Sequence, residues 1–427
     1  MSILTARLRA GTSFVLAMAL ASCGGGGGGS GNVVAPPVAP TPTPTPTPTP
    51  PPMQSLTSIT KTAVTTFDAP WGLTFLPTGE MLVTERPLNK DASGATLLNP
   101  TSPGAMWLVT QAGVKTAIDG LPASNVGILC VALDPQFATN KQVYITYLER
   151  DPAAARFGRA AANTAIDPVG LSLFKAKLTT DGTGTHLVGG TTIWRGTKVV
   201  SDPGSGEPGG YLTFSPDGAY LFVAVGDRQE FTPVQDLSNT LGKIIRLNPD
   251  GTAPATNPFV GTAGAKPEIW TLGHRNPYGL SFDSAGTLWE HEMGPKGGDE
   301  LNIILPGKNY GWPNVSYGDN YDGSPIPKPA AGDGFEPAQV WWVPVIAPAG
   351  MVIYSGNLLS AWKGYAVIGG LQSRGLVLVN LTGARATEAT RIDFAARVRA
   401  LAQAPTGEVW VLGDGPSGNL WKITPAP

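Results

Sequence analysis

Residues 211–227, YLTFSPDGAYLFVAVGD, and residues 242–248, GKIIRLN, contain the pattern that decides the fold. Two apolar segments rich in β-branched and aromatic residues flank a turn of Ser, Pro, Asp and Gly, and a third apolar segment follows a polar stretch. Short apolar runs separated by such turn residues are typical of β-strands. The pattern therefore predicts two strands joined by a turn, followed by a third strand.

The same arrangement occurs six times along the chain. The paired segments begin at Trp71, Leu129, Tyr211, Tyr278, Met351 and Val398. The single segments that follow them begin at Ala105, Gly170, Gly242, Asp299, Arg374 and Gly418. Each repeat averages about 60 residues, which is enough for a four-stranded blade and a long loop. We predict an all-β, six-bladed β-propeller over residues 53–427, because a β-sandwich explains the sixfold recurrence poorly.

The beginning of the chain predicts export and lipidation. Arg7 and Arg9 precede a short apolar core, residues 10–20, which is typical of a signal peptide. The tetrad that ends at Cys23, Leu-Ala-Ser-Cys, resembles a bacterial lipobox, in which cleavage precedes the Cys and its thiol is lipidated. We predict a lipoprotein-type signal peptide at residues 1–23, and an ordinary secretory signal is the alternative.

Residues 24–52 predict a disordered tether. Six glycines are followed by PTPTPTPTPTPPP at residues 40–52, which favours extended polyproline II. Such a segment has no apolar surface to bury. We therefore expect the propeller to stand off a membrane at the bacterial cell envelope, as a periplasm-facing lipoprotein, with the outer membrane preferred over the inner one.

Composition excludes other classes of protein. The net charge of −2 gives no basic field for nucleic acid. No run of about 18 apolar residues follows residue 23, which argues against a spanning helix in the body. The second cysteine, Cys130, lies in the apolar run GILCVAL and is expected to be a buried, inert thiol.

The densest polar motif is residues 272–313, LGHRNPYGLSFDSAGTLWEHEMGPKGGDELNIILPGKNYGWP. Arg275 and Asn276 offer a charged fork and an amide, which suit a planar ligand with carboxylates or carbonyls. The alternative is an arginine that ties down loop carbonyls. Residues 293–300 form a Gly-rich loop with adjacent carboxylates, which suits a hard cation such as Ca²⁺, and a plain turn is an equal interpretation.

A zinc site is a weaker alternative in the same stretch. His274 and His291 lie 17 residues apart, with carboxylates beside the second. Zinc needs at least a third protein ligand in good geometry. The chain has three histidines and no spare cysteine, which makes this interpretation unfavourable.

The motifs LGHRNPYGL, EHEMGPKGGDELN and GKNYGWP resemble the signature of the soluble aldose and glucose dehydrogenases that depend on pyrroloquinoline quinone (PQQ), also called glucose/sorbosone dehydrogenases. The similarity spans nearly all of residues 60–424. It implies a six-bladed propeller, in agreement with the repeats. It also implies an oxidoreductase that uses PQQ and Ca²⁺ to oxidise aldoses or related alcohols and aldehydes by hydride transfer, with a quinone or a cytochrome as electron acceptor.

The resemblance implies roles for individual residues. Contacts to PQQ are implied for Arg275, Asn276, Tyr321, Arg397 and Arg399. The carbonyls of two residues are implied to bind the Ca²⁺ that polarises the quinone, Gly294 and Pro295. A structural Ca²⁺ is implied to be held by the side chain of Glu300 and the carbonyl of Tyr310.

The chain departs from the family where the catalytic base belongs. Glu207 stands where a His is expected, and a Glu with a pKa of about 4.3 is a weaker base than a His of about 6.5 unless burial raises its pKa. Glu207 is therefore the candidate base. The alternative is a non-catalytic propeller with a degenerate site that binds a ligand or a partner. A calcium-dependent hydrolase is a third interpretation, against which the quinone-site motifs argue.

Two further departures concern cofactor binding. Asn125 stands where the family has a Gln near the first blade's channel loop. Gln372 stands where a Lys is expected, and Arg374, two residues on, is expected to restore the positive charge. Both Gln372 and Arg374 are therefore candidate cofactor-binding residues.

Overall fold

The structure is a computed structural model that describes residues 54–86, 103–200 and 206–427. The predicted signal peptide, the predicted lipidation site Cys23 and the predicted tether lie outside the described residues. Residues Met53–Pro427 belong to one compact unit. Within the described part of the chain, no helix has the length and apolarity needed to cross a membrane.

Six blades of four antiparallel strands each make up the domain, and the outermost strands of the first two blades also pair with each other in parallel, with Ile118 opposite Thr185 and Asp119 opposite His186. The strands of each blade, in order from the channel outwards, are as follows. Blade 1 has β2 (Pro70–Phe75), β3 (Met81–Glu85), β4 (Ala105–Val109) and β5 (Lys115–Asp119). Blade 2 has β6 (Asn125–Leu133), β7 (Gln142–Arg150), β8 (Val169–Asp181) and β9 (Gly184–Arg195). Blade 3 has β10 (Gly209–Phe214), β11 (Leu221–Val225), β12 (Lys243–Leu247) and β13 (Ile269–Leu272).

The second half of the domain repeats the arrangement. Blade 4 has β14 (Pro277–Phe282), β15 (Leu288–Glu292), β16 (Asp299–Ile303) and β17 (Val340–Trp342). Blade 5 has β18 (Pro348–Ile353), β19 (Tyr365–Gly370), β20 (Gly375–Asn380) and β21 (Thr387–Asp393). Blade 6 has β22 (Val398–Gln403), β23 (Val409–Gly413), β24 (Gly418–Pro425) and β1 (Ile59–Phe67). Helices are short: α1 (Phe137–Asn140) and the 3₁₀ turns Thr232–Gln235 and Ser360–Trp362.

The first strands of the blades form a closed ring. Strands β2, β6, β10, β14, β18 and β22 contact one another in sequence, and β22 contacts β2. The ring encloses a central channel, so the prediction of a six-bladed propeller is confirmed. A propeller of this kind leaves only short, protected sheet edges.

The ring is closed by pairing the two ends of the domain. Strand β1 pairs with β24 from Ile59 opposite Pro425 to Phe67 opposite Gly418. The last blade therefore takes its outermost strand from the start of the domain. Because separating these strands would open the ring, the pairing ties the first blade to the last.

The fourth strands escape identification in the sequence. Strand β5 exposes Lys115, Thr116, Ala117 and Asp119 and buries only Ile118. By contrast, all five residues of β11 are buried, because its two faces pack against neighbouring blades. Apolar runs therefore mark the inner strands, whereas an outermost strand such as β5 carries the composition of a surface.

Cys130 lies in β6 and is buried with a free thiol. Burial raises the pKa of this thiol to about 11, so it is protonated at neutral pH. The thiolate is the reactive form of cysteine. The structure thus agrees with the interpretation of Cys130 as an inert core residue.

Candidate active site at the channel mouth

A cavity of about 570 Å³ lies at the end of the channel where the inner strands begin. Its lining comes from blades 1, 4, 5 and 6 and from the loop before blade 3. The lining residues that carry charge or hydrogen-bonding groups are Trp71, Arg86, Glu207, Arg275, Asn276, Tyr278, Asp299, Tyr321, Arg399 and Asp414. The cavity therefore combines three guanidinium groups with three carboxyl groups.

Arg275 lies at the centre of this constellation, in the loop before β14. Its backbone N–H donates to the Glu292 carboxylate at 2.8 Å, and its carbonyl accepts from the Asp227 N–H at 2.8 Å. Its Nη1 donates to the carbonyls of Met293 at 3.0 Å and Gly294 at 2.7 Å. These contacts fix both the backbone and the guanidinium, which is almost fully buried.

Glu207 forms an ion pair with Arg275 through its Oε1 and Nη2. The Glu207 backbone has φ of 53°, in the left-handed region, and its carbonyl accepts from the Arg228 N–H at 3.3 Å. The second carboxylate oxygen, Oε2, is buried and has no hydrogen-bond donor among the described residues. The structure thus places the candidate base in the cavity, against the arginine.

Asp227, two residues after β11, is fully buried. Its Oδ2 accepts from Trp312 Nε1 at 2.8 Å, and its Oδ1 accepts from the Gln229 N–H at 2.7 Å. Burial raises the pKa of the Asp227 carboxyl well above its usual range, and the negative charge of Glu207 raises it further. The site therefore contains two adjacent carboxyl groups in different environments.

Arg399 brings a second guanidinium to the cavity from β22. It lies over the Trp71 ring at 4.3 Å, and its Nε donates to Asp414 at 2.8 Å. Arg397 binds the other oxygen of Asp414 at 2.7 Å, but it is half-exposed and does not line the cavity. Burial alone would raise the pKa of Asp414, yet the two arginines hold it below its usual value.

Arg86 is a cavity residue that the sequence did not reveal. Its guanidinium lies 5.1 Å from the Trp71 ring centre and faces the cavity, and burial lowers its pKa. The repeats nevertheless contain a pattern that would have identified Arg86 as a cavity residue. Arg86, Met293, Leu371 and Asp414 each directly follow the second strand of a blade, and all four line the cavity. The position after the second strand therefore marks the channel mouth.

Asn276 and Tyr321 both line the cavity that contains Arg275. Asn276 is buried and its Oδ1 has no partner among the residues described. The Tyr321 hydroxyl accepts from Arg275 Nη2 at 3.2 Å, although its side chain is 71% exposed at the rim. Both residues line the cavity, as the resemblance implied.

Four of the residues expected near the cofactor do not line the cavity: Arg397, Gln372, Arg374 and Asn125. Gln372 and Arg374 are exposed in the turn after β19, and the Arg374 guanidinium donates to the Ala395 carbonyl. The expectation that Arg374 restores a positive charge is therefore wrong, because this hydrogen bond directs the side chain away from the cavity. Asn125 is buried, where its side chain accepts from the Gly104 N–H and donates to the Pro122 carbonyl.

The Gly294-Pro295 loop borders the cavity beside Arg275. Its Gly294 N–H donates to Asp299 at 3.0 Å, and the other oxygen of Asp299 accepts from the N–H groups of Ile346 and Ala347. Burial raises the pKa of Asp299 to about 6. The Gly294 carbonyl already accepts from the Arg275 guanidinium, so a Ca²⁺ ion could bind this carbonyl only if that hydrogen bond were released.

A second acidic group lies behind the cavity, between β15 and β16. The pairing of these strands sets Glu292 opposite Glu300 and Glu290 opposite Asn302. Asn302 Nδ2 donates to Glu290 at 3.1 Å and to Glu300 at 3.3 Å. Burial, followed by the charge of Glu292, raises the pKa of both Glu290 and Glu300 well above their usual range.

His274 completes this buried group. Its Nδ1 lies 3.6 Å from Glu292 and 4.0 Å from Glu290, close enough for the three residues to share one ion. His274 Nδ1, Glu290 Oε1 and Asn302 Oδ1 are buried without a partner in the described structure. Unsatisfied buried acceptors next to carboxylates fit a cation. The ring of Tyr310 stacks on the His274 ring with their centroids 4.6 Å apart, so Tyr310 lies beside this buried group.

His274 and His291 do not face the same group, which agrees with the zinc interpretation being unfavourable from the sequence. His291 neighbours Glu290 and Glu292 in β15, and adjacent residues of a strand point to opposite faces. Its Nε2 lies 3.3 Å from the Gly350 carbonyl of blade 5. The groups that could share an ion with His274 are thus the carboxylates of Glu290 and Glu292, and not His291.

Fold and cavity together define a six-bladed propeller whose channel mouth holds a cavity lined by three guanidinium groups. The family described as Glucose / Sorbosone dehydrogenase matches residues 67–422. This match covers most of the chain, so the protein belongs to the glucose/sorbosone dehydrogenase family, as the sequence motifs predicted.

Relatives of known name agree with this assignment. The chain is 34% identical to the aldose sugar dehydrogenase YliI of Escherichia coli over 369 residues, which is 84% of this chain and 90% of that one. It is 32% identical to quinoprotein glucose dehydrogenase B of Acinetobacter calcoaceticus over 273 residues, which is 60% of this chain and 52% of that one. The crystal structure of the soluble aldose sugar dehydrogenase of E. coli in its apo form superposes with a TM-score of 0.74 at 30% identity, covering 86% of this chain and 99% of that one.

Proposed function

We propose that the protein is a PQQ- and Ca²⁺-dependent dehydrogenase that oxidises aldose sugars, or related alcohols and aldehydes, at the channel mouth. The observation that carries this proposal is the convergence of Arg275, Arg399 and Glu207 on one cavity in a chain of this family. An anionic redox cofactor needs cationic partners, and oxidation of a hydroxyl group needs a proton acceptor.

The cavity suits PQQ by charge and by hydrogen bonding. PQQ carries three carboxylates, and Arg86, Arg275 and Arg399 supply guanidinium groups to the cavity. Two buried polar atoms, Arg275 Nε and Asn276 Oδ1, have no partner among the described residues and are available to such a ligand. When bound, PQQ supplies the two-electron acceptor that the amino acids lack.

Calcium would occupy two kinds of position. The carbonyls of Gly294 and Pro295 would hold the ion that acts on the quinone, which requires the Arg275 guanidinium to release the Gly294 carbonyl. The buried group of Glu300, Glu292 and Glu290 would hold a structural ion, because burying three carboxyl groups without a cation is costly. Oxygen-rich groups of this type are what Ca²⁺ prefers.

Glu207 would act as the base. Its carboxylate accepts the proton of the substrate hydroxyl while the hydride leaves the carbon of that hydroxyl and the carbonyl of the product forms. Arg275, in contact with Glu207, orients the carboxylate. General-base catalysis of this kind contributes roughly 10²–10⁴-fold to the rate.

The second candidate function is ligand binding without turnover. It is favoured by the ion pair between Glu207 and Arg275, because a carboxylate that is already paired is a poorer proton acceptor. Under this hypothesis the cavity binds PQQ or a related anion, and the substituted base leaves it inactive.

The two functions are separated by PQQ binding and dye reduction. Residues 53–427 are purified, supplied with PQQ and Ca²⁺, and tested with a panel of aldoses. We expect turnover in the wild type and a loss of about 100-fold or more in Glu207→Gln. Glu80→Gln, in the β2–β3 turn, is the matched control and should be unaffected.

Each of the other outcomes has a definite meaning. Binding of PQQ without turnover, with activity gained in Glu207→His, would establish the non-catalytic function. Failure to bind PQQ in the presence of Ca²⁺ would remove the dehydrogenase proposal.

We further propose that the protein works at the cell envelope as a lipoprotein anchored through Cys23, and passes electrons to a quinone or a cytochrome. The signal-like residues 1–23 support this proposal. Expression of the full chain in a Gram-negative host, with fractionation of membranes, tests the anchor. Cys23→Ala should release the protein from the membrane fraction, and a wild-type protein that is already soluble would contradict the anchor.

A further inference from the structure

Trp71 lies in the wall of the cavity, near the start of β2, and two guanidinium groups lie against its indole ring. The Arg399 guanidinium carbon lies 4.3 Å from the ring centre, and that of Arg86 lies 5.1 Å from it. A cation over an indole is attracted by the negative face of the ring, and the attraction is largest where water is excluded. One aromatic side chain therefore contacts two of the three guanidinium groups of the cavity.

The positive charge beside Trp71 exceeds the negative charge. Asp414 accepts from Arg399 at 2.8 Å and from Arg397 at 2.7 Å. Arg86 has no ion pair and no side-chain hydrogen bond among the described residues. Burial lowers the pKa of Arg86 most, and the positive charge of Arg399 lowers it further, because like charges repel. An anion in the cavity would balance this excess.

The Trp71 ring is held in one orientation. Tyr278 packs edge-to-face against it with the ring centroids 5.4 Å apart, and Arg399 also lies 5.7 Å from the Tyr278 ring centre. Trp71 is 6% exposed, and its Nε1 is buried without an acceptor among the described residues. A buried donor without an acceptor is unfavourable unless a ligand or water supplies one. The indole is therefore a fixed support whose N–H is not used within the described structure.

We propose that Trp71 is a positioning residue whose indole ring holds the Arg86 and Arg399 guanidinium groups at the cavity as a clamp for an anion with two or more carboxylates. The ring offsets part of the repulsion between the two cations before the anion arrives, so the clamp is ordered in advance and less free energy is lost in ordering it on binding. The identity of the anion as PQQ rests on the proposed function, whereas the clamp itself does not.

Calorimetric titration of the full chain with PQQ, in the presence of Ca²⁺, tests the clamp. We expect Trp71→Leu to raise the Kd about 100-fold, and Trp71→Phe, which keeps a weaker aromatic face, to raise it about 10-fold. Trp270→Leu is the matched control, because the Trp270 indole also lies against a guanidinium, that of Arg246 at 4.1 Å, but belongs to β13 and does not line the cavity. The control should have the Kd of the wild type.

A double-mutant cycle with Arg399→Gln separates positioning from a general loss of packing. One of the two cations is gone in that background, so Trp71→Leu should cost about tenfold less affinity there than in the wild type. Circular dichroism verifies that each variant is folded. An unchanged Kd in Trp71→Leu, or an equal loss of affinity in both backgrounds, would overturn the proposal.

Trimesate, a benzene ring with three carboxylates, is a second probe that does not depend on the proposed function. We expect it to raise the Tm of the wild type more than that of Trp71→Leu, because a ligand that binds only the folded state stabilises it. If PQQ fails to bind and trimesate gives this response, the dehydrogenase proposal fails and the clamp stands. If neither anion raises the Tm of the wild type, the clamp itself is overturned.

Discussion

Gly226 affects the position of the candidate base for a steric reason: a side chain at residue 226 would clash with the backbone of Glu207. A Cβ at Gly226 would lie 2.0 Å from the carbonyl oxygen of Glu207 and 2.9 Å from the Gly209 nitrogen. Real Cβ atoms essentially never come closer than 3.0 Å to such atoms, so the Glu207 carbonyl has to move by about 1 Å in Gly226→Ala. The Gly226 backbone does not lie in the left-handed region, so alanine itself is allowed there.

The expected effect is large on activity and moderate on stability. A shift of about 1 Å in a catalytic group costs roughly 10²-fold in rate, and we expect kcat/KM to fall by about that factor. Overpacking costs about 1–3 kcal/mol, which is smaller than the roughly 5–15 kcal/mol by which folded domains are stable. Gly226→Ala should therefore remain folded while losing its activity.

The assay compares Gly226→Ala with Gly182→Ala. Gly182 lies in the β8–β9 turn, where an added Cβ meets no atom within 4 Å. Dye-linked turnover and urea unfolding are measured for both variants. If Gly226→Ala kept the kcat/KM of the control, the argument that this contact positions Glu207 would be refuted.

Three further predictions concern other parts of the domain. Lys243→Met should destabilise the protein by about 2–4 kcal/mol in urea, because the buried ammonium donates to the carbonyls of Val234 and Leu241 at 2.7 Å and of Pro233 at 3.3 Å, all of which lose their donor. Burial lowers the pKa of Lys243 to about 7, so the unfolded chain binds this proton more tightly. Wild-type stability should therefore rise with pH from about 7 to about 10, and Lys243→Met should lack that rise. The Cys130 thiol should resist a thiol reagent at pH 8 until urea unfolds the protein, because it is buried and its pKa is raised to about 11; rapid labelling of the native protein would contradict this. Removal of Ca²⁺ by a chelator should lower the Tm, and Glu292→Gln should reduce this response, whereas Glu80→Gln, the control in the β2–β3 turn, should not.

The sequence predicted three strands of every blade but not the fourth. Inner strands such as β11 are buried on both faces and read as continuous apolar runs. The outermost strand Thr387–Asp393 has five exposed and two half-buried residues, so its composition resembles that of a loop. The pairing of β1 with β24 joins residues more than 350 positions apart, and no local pattern encodes a contact at that distance.

The sequence predicted those cavity residues that lie in one compact motif. It missed cavity residues that come from other blades. Arg275, Asn276 and the Gly294-Pro295 loop lie in one stretch of sequence, and all line the cavity. Arg86 comes from a different blade, and Arg374 turns out to bind the Ala395 carbonyl instead of facing the cavity. Side-chain direction depends on the neighbours that tertiary structure supplies.

By itself, the sequence determined the number of blades, the inner strands and the family of the protein, because apolar periodicity and compact motifs are local properties of a chain. Only the tertiary structure decided how the ring closes and which charged groups meet at the channel mouth. The pairing of Glu207 with Arg275, the buried Asp227 and the grouping of His274 with two glutamates all depend on contacts between separate segments. Such contacts set burial and local charge, and these in turn decide which carboxyl group can ionise.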